Sequence, residues 1–246
     1  MRLVVCLGIL SLCVSNLHGQ AASTNHVFPR IVDGYFGDGS SYNSTILATN
    51  TSATKSTCSL SLFGLEAERL ALPTSFSLEA SGGYIVNTSR GNAPFAAGYA
   101  ALNCDQPVVA FVVYQYVSAA ASVLGLATVF SAPENTMAQF PSTDASAGYR
   151  LGIAIANHTA NTEDYVLVLN DSTGHEQARA TITLQAHSAI AKFVDEWVSV
   201  PARFSGTVRV ASKKMLAGIS GGEFRALGLL FAAGTFSTIP PVVLAP

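Results

Sequence analysis

The chain has 246 residues and a formal net charge of -2, with 11% charged and 49% hydrophobic residues. So little charge excludes a disordered chain. No basic cluster longer than Lys213-Lys214 exists, which excludes the basic stripe of a nucleic-acid binder.

The chain opens with Met1-Arg2, an apolar run from Leu3 to Val14, and a more polar stretch from Ser15 to Ala21 that ends in small residues. That three-part layout predicts a secretory signal peptide over residues 1–21, cleaved near Gly19-Gln20-Ala21. The run is short for a membrane span. Cys13 raises a lipoprotein anchor, but bulky Leu12 precedes it where such sites want a small residue. The expected address is therefore outside the cytoplasm, secreted or at the cell surface. Cys6 and Cys13 leave with the signal, and Cys58 and Cys104 remain. Two thiols in an exported chain predict one disulfide; the alternative is two free buried thiols.

Next comes an internal repeat. "YNSTILATNTSA" (42–53) lies over "YRLGIAIANHTA" (149–160), and "FSLEASGGYI" (76–85) over "ITLQAHSAIA" (182–191). "GYAALNCDQPVVAF" (98–111) lies over "GTVRVASKKMLAGI" (206–219), and Phe28-Pro29 over Phe140-Pro141. A period of about 107 residues predicts two similar domains rather than a solenoid. Within each copy, runs rich in Val, Ile, Thr and Tyr alternate with Gly, Ser, Asn and Asp turns, which predicts antiparallel strands. The expected fold class is all-β: two tandem antiparallel β-sandwich domains related by internal duplication, at 22–137 and 138–246. Only "AKFVDEWVS" (191–199) has helical spacing, and one short helix or turn is expected there, with Trp197 as a core anchor.

Residues 108–132 carry no charge, a length compatible with a membrane span. Gln115, Ser118, Ser122 and Thr128 interrupt it and no Lys or Arg flanks it closely, so a strand pair buried between sheets is the preferred reading. No membrane span is expected in the mature chain.

Gly218-Ile219-Ser220-Gly221-Gly222 fits G-x-S-x-G, the nucleophile elbow of serine hydrolases. An elbow needs a helix after the serine, and the hydrolase chain order puts Asp or Glu and then His behind it. Glu223 follows Ser220, but the last histidine is His187. Ser220 is expected to end a strand, with Gly221-Gly222 turning into a strand at 224–231 and Leu216, Ile219, Phe224, Leu227 and Leu229 in the core. No catalytic residue is assigned. His26, His158, His175 and His187 show no metal-ligand spacing and read as loop histidines. Asp33 and Asp38 in "IVDGYFGDGSS" are too few for a calcium site, and Asp-Gly is ordinary turn chemistry. No metal or cofactor is expected. Five N-x-S/T sequons stand at Asn43, Asn50, Asn87, Asn157 and Asn170, and read as residues common at strand ends.

Three stretches carry a resemblance: "VFPRIVDGYFGDGSSYNSTILATNTS", "GYAALNCDQPVVAFVVYQ" and "LGLLFAAGTFSTIPPV". They are similar, in order and over nearly all of the mature chain, to secreted two-domain β-sandwich proteins from acidobacteria and related bacteria. That family's FP-x-x-x-DGGG stretch is here interrupted by Tyr35-Phe36, and Gln115 stands where Arg is usual. The resemblance implies an exported tandem β-sandwich module and no chemistry. The expected function is a non-enzymatic structural, adhesion or binding role at or outside the cell surface, with an extracellular protein or a carbohydrate as partner. The alternatives are a serine hydrolase using Ser220 and a protein anchored through 108–132.

Overall fold

The computed structural model describes residues 21–64, 70, 72–88, 93–143, 148–232 and 235–244. The expected signal segment lies outside them except for Ala21. Among the described residues the chain is all-β, built from antiparallel sheets with one short α-helix.

The first seven strands are β1 (Ser23–Tyr35), β2 (Ser41–Asn50), β3 (Ser56–Phe63), β4 (Ser75–Leu78), β5 (Gly83–Asn87), β6 (Ala96–Val117) and β7 (Val123–Phe130). They form one sheet in the order β4-β3-β6-β1-β2-β5, with β7 also on β6. The 22-residue β6 joins its two arms. Its first part lies between β1 and β3, and its second, from Val108, between β2 and β7. The pairing with β1 slips between Asn103 and Val108, where Pro107 has no N–H to give to a ladder. The two arms enclose one core, with Leu60 and Leu102 from one side and Ile46, Val112 and Val129 from the other.

The remaining strands are β8 (Met137–Thr143), β9 (Tyr149–Asn157), β10 (Glu163–Asp171), β11 (Glu176–Leu184), β12 (Ser188–Phe193), β13 (Ser205–Ser212), β14 (Arg225–Ala232), β15 (Thr235–Ile239) and β16 (Val242–Val243). They make a five-stranded sheet, β11-β10-β13-β8-β16, and a four-stranded sheet, β12-β9-β14-β15. A second core lies between these sheets, formed by Phe140, Tyr165, Leu167 and Val208 from one and Ile153, Ile155 and Ala226 from the other.

The four-stranded sheet is covered on both faces, and its sequence shows why. Leu151, Ile153 and Ile155 of β9 enter the second core. On the opposite face Ala154, with Leu227 and Phe236, joins the first core, and Ala156 packs with Val27, Tyr99 and Ala101. Alternating side chains reach both neighbours, so the run "LGIAIA" is apolar throughout rather than alternating.

Three expectations are corrected. Residues 214–220, expected as a strand, belong instead to helix α1 (Lys213–Leu216) and an irregular turn after it. Leu216 and Ile219 are 52% and 58% exposed instead of core-forming. The matching of 108–111 with 216–219 also fails. Val108 pairs with Asn50, while Arg225 pairs with Ala156, the neighbour of Asn157. In the fold 108–111 belong to β6, while 216–219 lie at the end of α1 and in the turn after it. The segment 191–199 behaves as expected: it holds a 3-10 turn at Val194–Glu196, and Trp197 packs against the second core.

Candidate functional site

Ser220 does not end a strand. It lies exposed in the interruption between β13 and β14. Among the described residues no histidine or carboxylate is hydrogen-bonded to it. Gly221 and Gly222 have φ of 97° and 78°, the left-handed turn expected of them. Gly222 is also a close approach: a Cβ there would lie 2.1 Å from Ser212 Oγ. Around this turn Lys214 Nζ donates to Glu163 Oε1 at 2.5 Å, and Glu163 is a buried carboxylate. The interruption thus covers and neutralises an acid at the start of β10.

The uncharged run 108–132 is the second part of β6, a turn at 118–122, β7 and two further residues. Val112, Ala127 and Val129 point into the core, while Leu126 and Phe130 face outward at 57% and 50% exposure. Apolar residues on both faces of two paired strands account for the absence of charge. Among the described residues no helix is long and apolar enough to cross a membrane.

Cys58 and Cys104 form a disulfide across directly paired positions of β3 and β6. Asp38 is a turn former, its Oδ1 accepting from Ser40 N and Oγ at 2.9 and 2.6 Å. These hydrogen bonds hold its carboxyl below the ordinary range. Asp33 is buried beside Thr88, 3.2 Å from its hydroxyl, which donates to it. No group of three or more His, Cys, Asp or Glu converges as a metal set among the described residues.

Among the described histidines only His26 departs from the loop reading, since it stands in β1; His158 and His187 lie in loops between strands, His158 half-buried and His187 exposed. His26 is buried; its Nε2 lies 3.0 Å from Val108 O and its Nδ1 3.0 Å from Ser131 Oγ. His158 and His187 meet at the seam between the two halves, with ring centroids 5.8 Å apart, beside Phe63 and Tyr99. Tyr99 Oη lies 3.0 Å from His158 Nδ1. Burial pulls the pKa of His158 down, helped by His187 and Arg225, and Glu134 opposes it. His175 does occupy an exposed turn.

The sequons have a structural meaning at two positions. Asn50 and Asn157 are buried, and each side-chain amide is consumed by hydrogen bonds to its own turn and to the strand alongside. In each, the Ser or Thr two places on caps the same amide oxygen. The pattern N-x-S/T here is an Asx turn closed by a hydroxyl.

A concavity of mixed chemistry lies where the four-stranded sheet meets the N-terminal sheet. It is a cleft of about 230 Å³. One wall is Gly152, Ala154 and Ala191, whose small side chains leave room, with Leu229 and Phe231 beside them. The other is Val32, Tyr42, Phe95, Tyr114 and Arg30. It opens into an outer groove that shares Tyr42, Phe231 and Phe236 and is lined also by Phe36 and Tyr116. No family model and no curated protein matches this chain. The cleft therefore has to be read from its own chemistry.

Arg30 is a charged residue of the inner cleft, whose lining also includes Lys192 and Glu196. It stands in a β-bulge: Phe28 pairs with Ala100 and Ile31 with Gly98, so Pro29 and Arg30 together oppose one residue. The bulge lets Phe28 and Ile31, three apart, both enter the core and turns Arg30 to the cleft. Its guanidinium carbon lies 5.9 Å from the Phe95 ring centre. Tyr114 Oη donates to the Arg30 backbone carbonyl, which fixes the bulge. Among the described residues no carboxylate pairs with Arg30, and burial lowers its pKa from the ordinary value. The other cation near the groove, Arg150, is already paired with Asp195 at 2.8 Å and lies 3.7 Å from the Phe193 ring centre. Sequence reading missed Arg30, because a bulge has no signature in a strand of ordinary composition.

Proposed function

We propose that the chain is an exported, non-enzymatic binding module of two β-sandwich domains that arose by internal duplication, and that its ligand site is the cleft between them. The observation that carries the binding role is the cleft itself, largely apolar and aromatic in its walls, with the Arg30 guanidinium paired to no carboxylate among the described residues. Binding sites commonly combine apolar walls with a few orienting polar groups.

Duplication is supported by the matched hydrogen bonds of Asn50 and Asn157 and by the paired positions Cys58–Cys104 and Tyr165–Ser212, which stand at the same places in β3–β6 and β10–β13. Export is supported by the layout of residues 1–21 and is compatible with the disulfide. The non-enzymatic reading rests on the exposed Ser220, which has no hydrogen-bonded base among the described residues where a nucleophile needs one. The resemblance to secreted β-sandwich proteins is in keeping with each of these.

The test is a thermal-shift screen of small molecules on the mature chain and on Ala191→Leu, which fills the cleft wall. Ligands that stabilise the native chain and lose their effect in the variant support the reading. Ligands that stabilise both equally overturn the cleft as the site.

A further inference from the structure

We infer that the cleft selects small monoanionic carboxylates with an aromatic or branched apolar body, held by Arg30. This rests on the binding reading above and adds a ligand class to it.

Three observations converge. The first is charge. A guanidinium withdrawn from water without an anionic partner costs free energy, and a ligand carboxylate removes that cost while accepting two parallel N–H bonds. The fork geometry of Arg suits a carboxylate better than a point charge does. A single guanidinium favours a monoanion, since a phosphate dianion needs further donors. Lys192, the other cation of the lining, is exposed, and Glu196 beside it already accepts the Phe193 N–H at 2.6 Å.

The second is the wall. Phe95, Phe231, Phe236 and Tyr42 present ring surfaces, and Tyr114 has its hydroxyl committed to Arg30 O. A sugar, with hydroxyls all round, finds few partners there, whereas an apolar body gains by leaving water. The third is size. About 230 Å³ is below the ~300–1,000 Å³ of drug-sized sites. That limits the occupant to about one ring or a short branched chain, with any longer tail directed into the outer groove between Tyr42 and Phe236.

The bulge gives the site its own origin. In β8 the equivalent Phe140-Pro141 pairs in unbroken register with Val208 and Thr207, and Ser142 follows where Arg30 stands in β1. The C-terminal half keeps the regular strand; the N-terminal half bends it and places a cation at the seam.

The experiment is calorimetric or ligand-observed NMR titration of the mature chain with 3-phenylpropionate, 3-phenylpropan-1-ol and 3-phenylpropylammonium. The carboxylate is expected to bind at least tenfold more tightly than the alcohol, and the ammonium not at all. Arg30→Gln should erase the preference for the carboxylate over the alcohol, and Arg30→Lys should keep part of it. Circular dichroism melts show whether these variants are folded, and Ala191→Leu, which leaves Arg30 in place, should block the carboxylate independently. If the alcohol binds as well as the carboxylate, or the preference survives Arg30→Gln, the ligand class is wrong while the cleft stands. If none of the three binds and Ala191→Leu changes no ligand response at all, the cleft reading falls and the ligand class with it.

Discussion

Asn50 and Asn157 make the same five side-chain hydrogen bonds. Each Nδ2 reaches three backbone carbonyls, those of Thr54, Leu78 and Glu79 in one case and of Asn161, Leu184 and Gln185 in the other. Each Oδ1 accepts the N–H and hydroxyl of the residue two places on, Ser52 or Thr159. The likeness extends to the next loop, where Ser81 and His187 both have positive φ and donate their N–H to Ser52 and Thr159. Each asparagine ties the end of a strand to the end of a strand in the opposite arm or sheet. Asn50→Ala and Asn157→Ala should each cost about 2–4 kcal/mol, because buried carbonyls are left without donors. Urea unfolding checks this. A loss under about 1 kcal/mol at either site would contradict the role.

The Cys58–Cys104 bridge closes a loop with a sequence separation of 46. Chain-entropy reasoning gives about 4 kcal/mol for a loop of that length, less any native strain. Reduction, or Cys58→Ala with Cys104→Ala, should lower the denaturant midpoint without changing the fold. Peptide mapping of the unreduced chain should recover the cross-linked pair, and free thiols in air-exposed unfolded protein would refute it.

The turn after α1 should respond in a graded way. Ser220→Ala is expected to stay within about 0.5 kcal/mol of the native chain, as an exposed residue with nothing bonded to it. Gly221→Ala meets only the flexible end of Lys214, at 3.8 Å, and suffers from its positive φ alone. Gly222→Ala adds the collision with Ser212 and should be the worst, at roughly 2–4 kcal/mol. Thermal melts of the three variants give the order, and an esterase assay on the native chain and Ser220→Ala should show no serine-dependent hydrolysis. Hydrolysis abolished by Ser220→Ala in a folded variant would overturn the non-enzymatic proposal.

Stability should fall on mild acidification. Burial lowers the pKa of His26 and His158 from the ordinary 6.5. The unfolded chain then takes up protons below about pH 6.5 that the native chain refuses, so the stabilisation present above that pH is lost as pH drops toward the folded values. Each group contributes at most about 1.4 kcal/mol per pH unit in that window. The carboxylates held low, such as Asp164 and Asp171, act only in stronger acid, below about pH 5. Denaturation at a series of pH values between about 8 and 5 should show the slope, and His158→Gln should flatten it. An unchanged slope in that variant would remove His158 from the account.

Much of this was legible beforehand, for reasons that differ by residue. The strand pattern follows from local alternation, which a sequence carries directly, and the cysteine pair was expected from two thiols in a chain read as exported. The strand pair in 108–132 was also legible, since Gln115 and Thr128 break the run, but its expected burial holds for one face only, because Leu126 and Phe130 of β7 face outward. The helix at Lys213–Leu216 was not: "KKMLAGIS" has strand-like apolar content, and its position depends on Ser212 accepting from Met215 N and on Lys214 reaching Glu163. The meeting of His158 with His187, and of Arg30 with Phe231 around one cleft, comes from sheets packing across the seam. No spacing along the chain records such contacts. Asn50 and Asn157 were visible as repeated sequons, but their burial was not.

The central claim is that a ligand occupies the seam between the two halves. Amide chemical-shift mapping of a small-molecule cocktail on the isotope-labelled mature chain tests it most directly. The largest shifts should fall on Gly152, Ala154, Ala191 and the Arg30 bulge, and should disappear in Ala191→Leu. Shifts centred instead on Ser220 and its glycines, or on the outer face of β7 at Leu126 and Phe130, would contradict it.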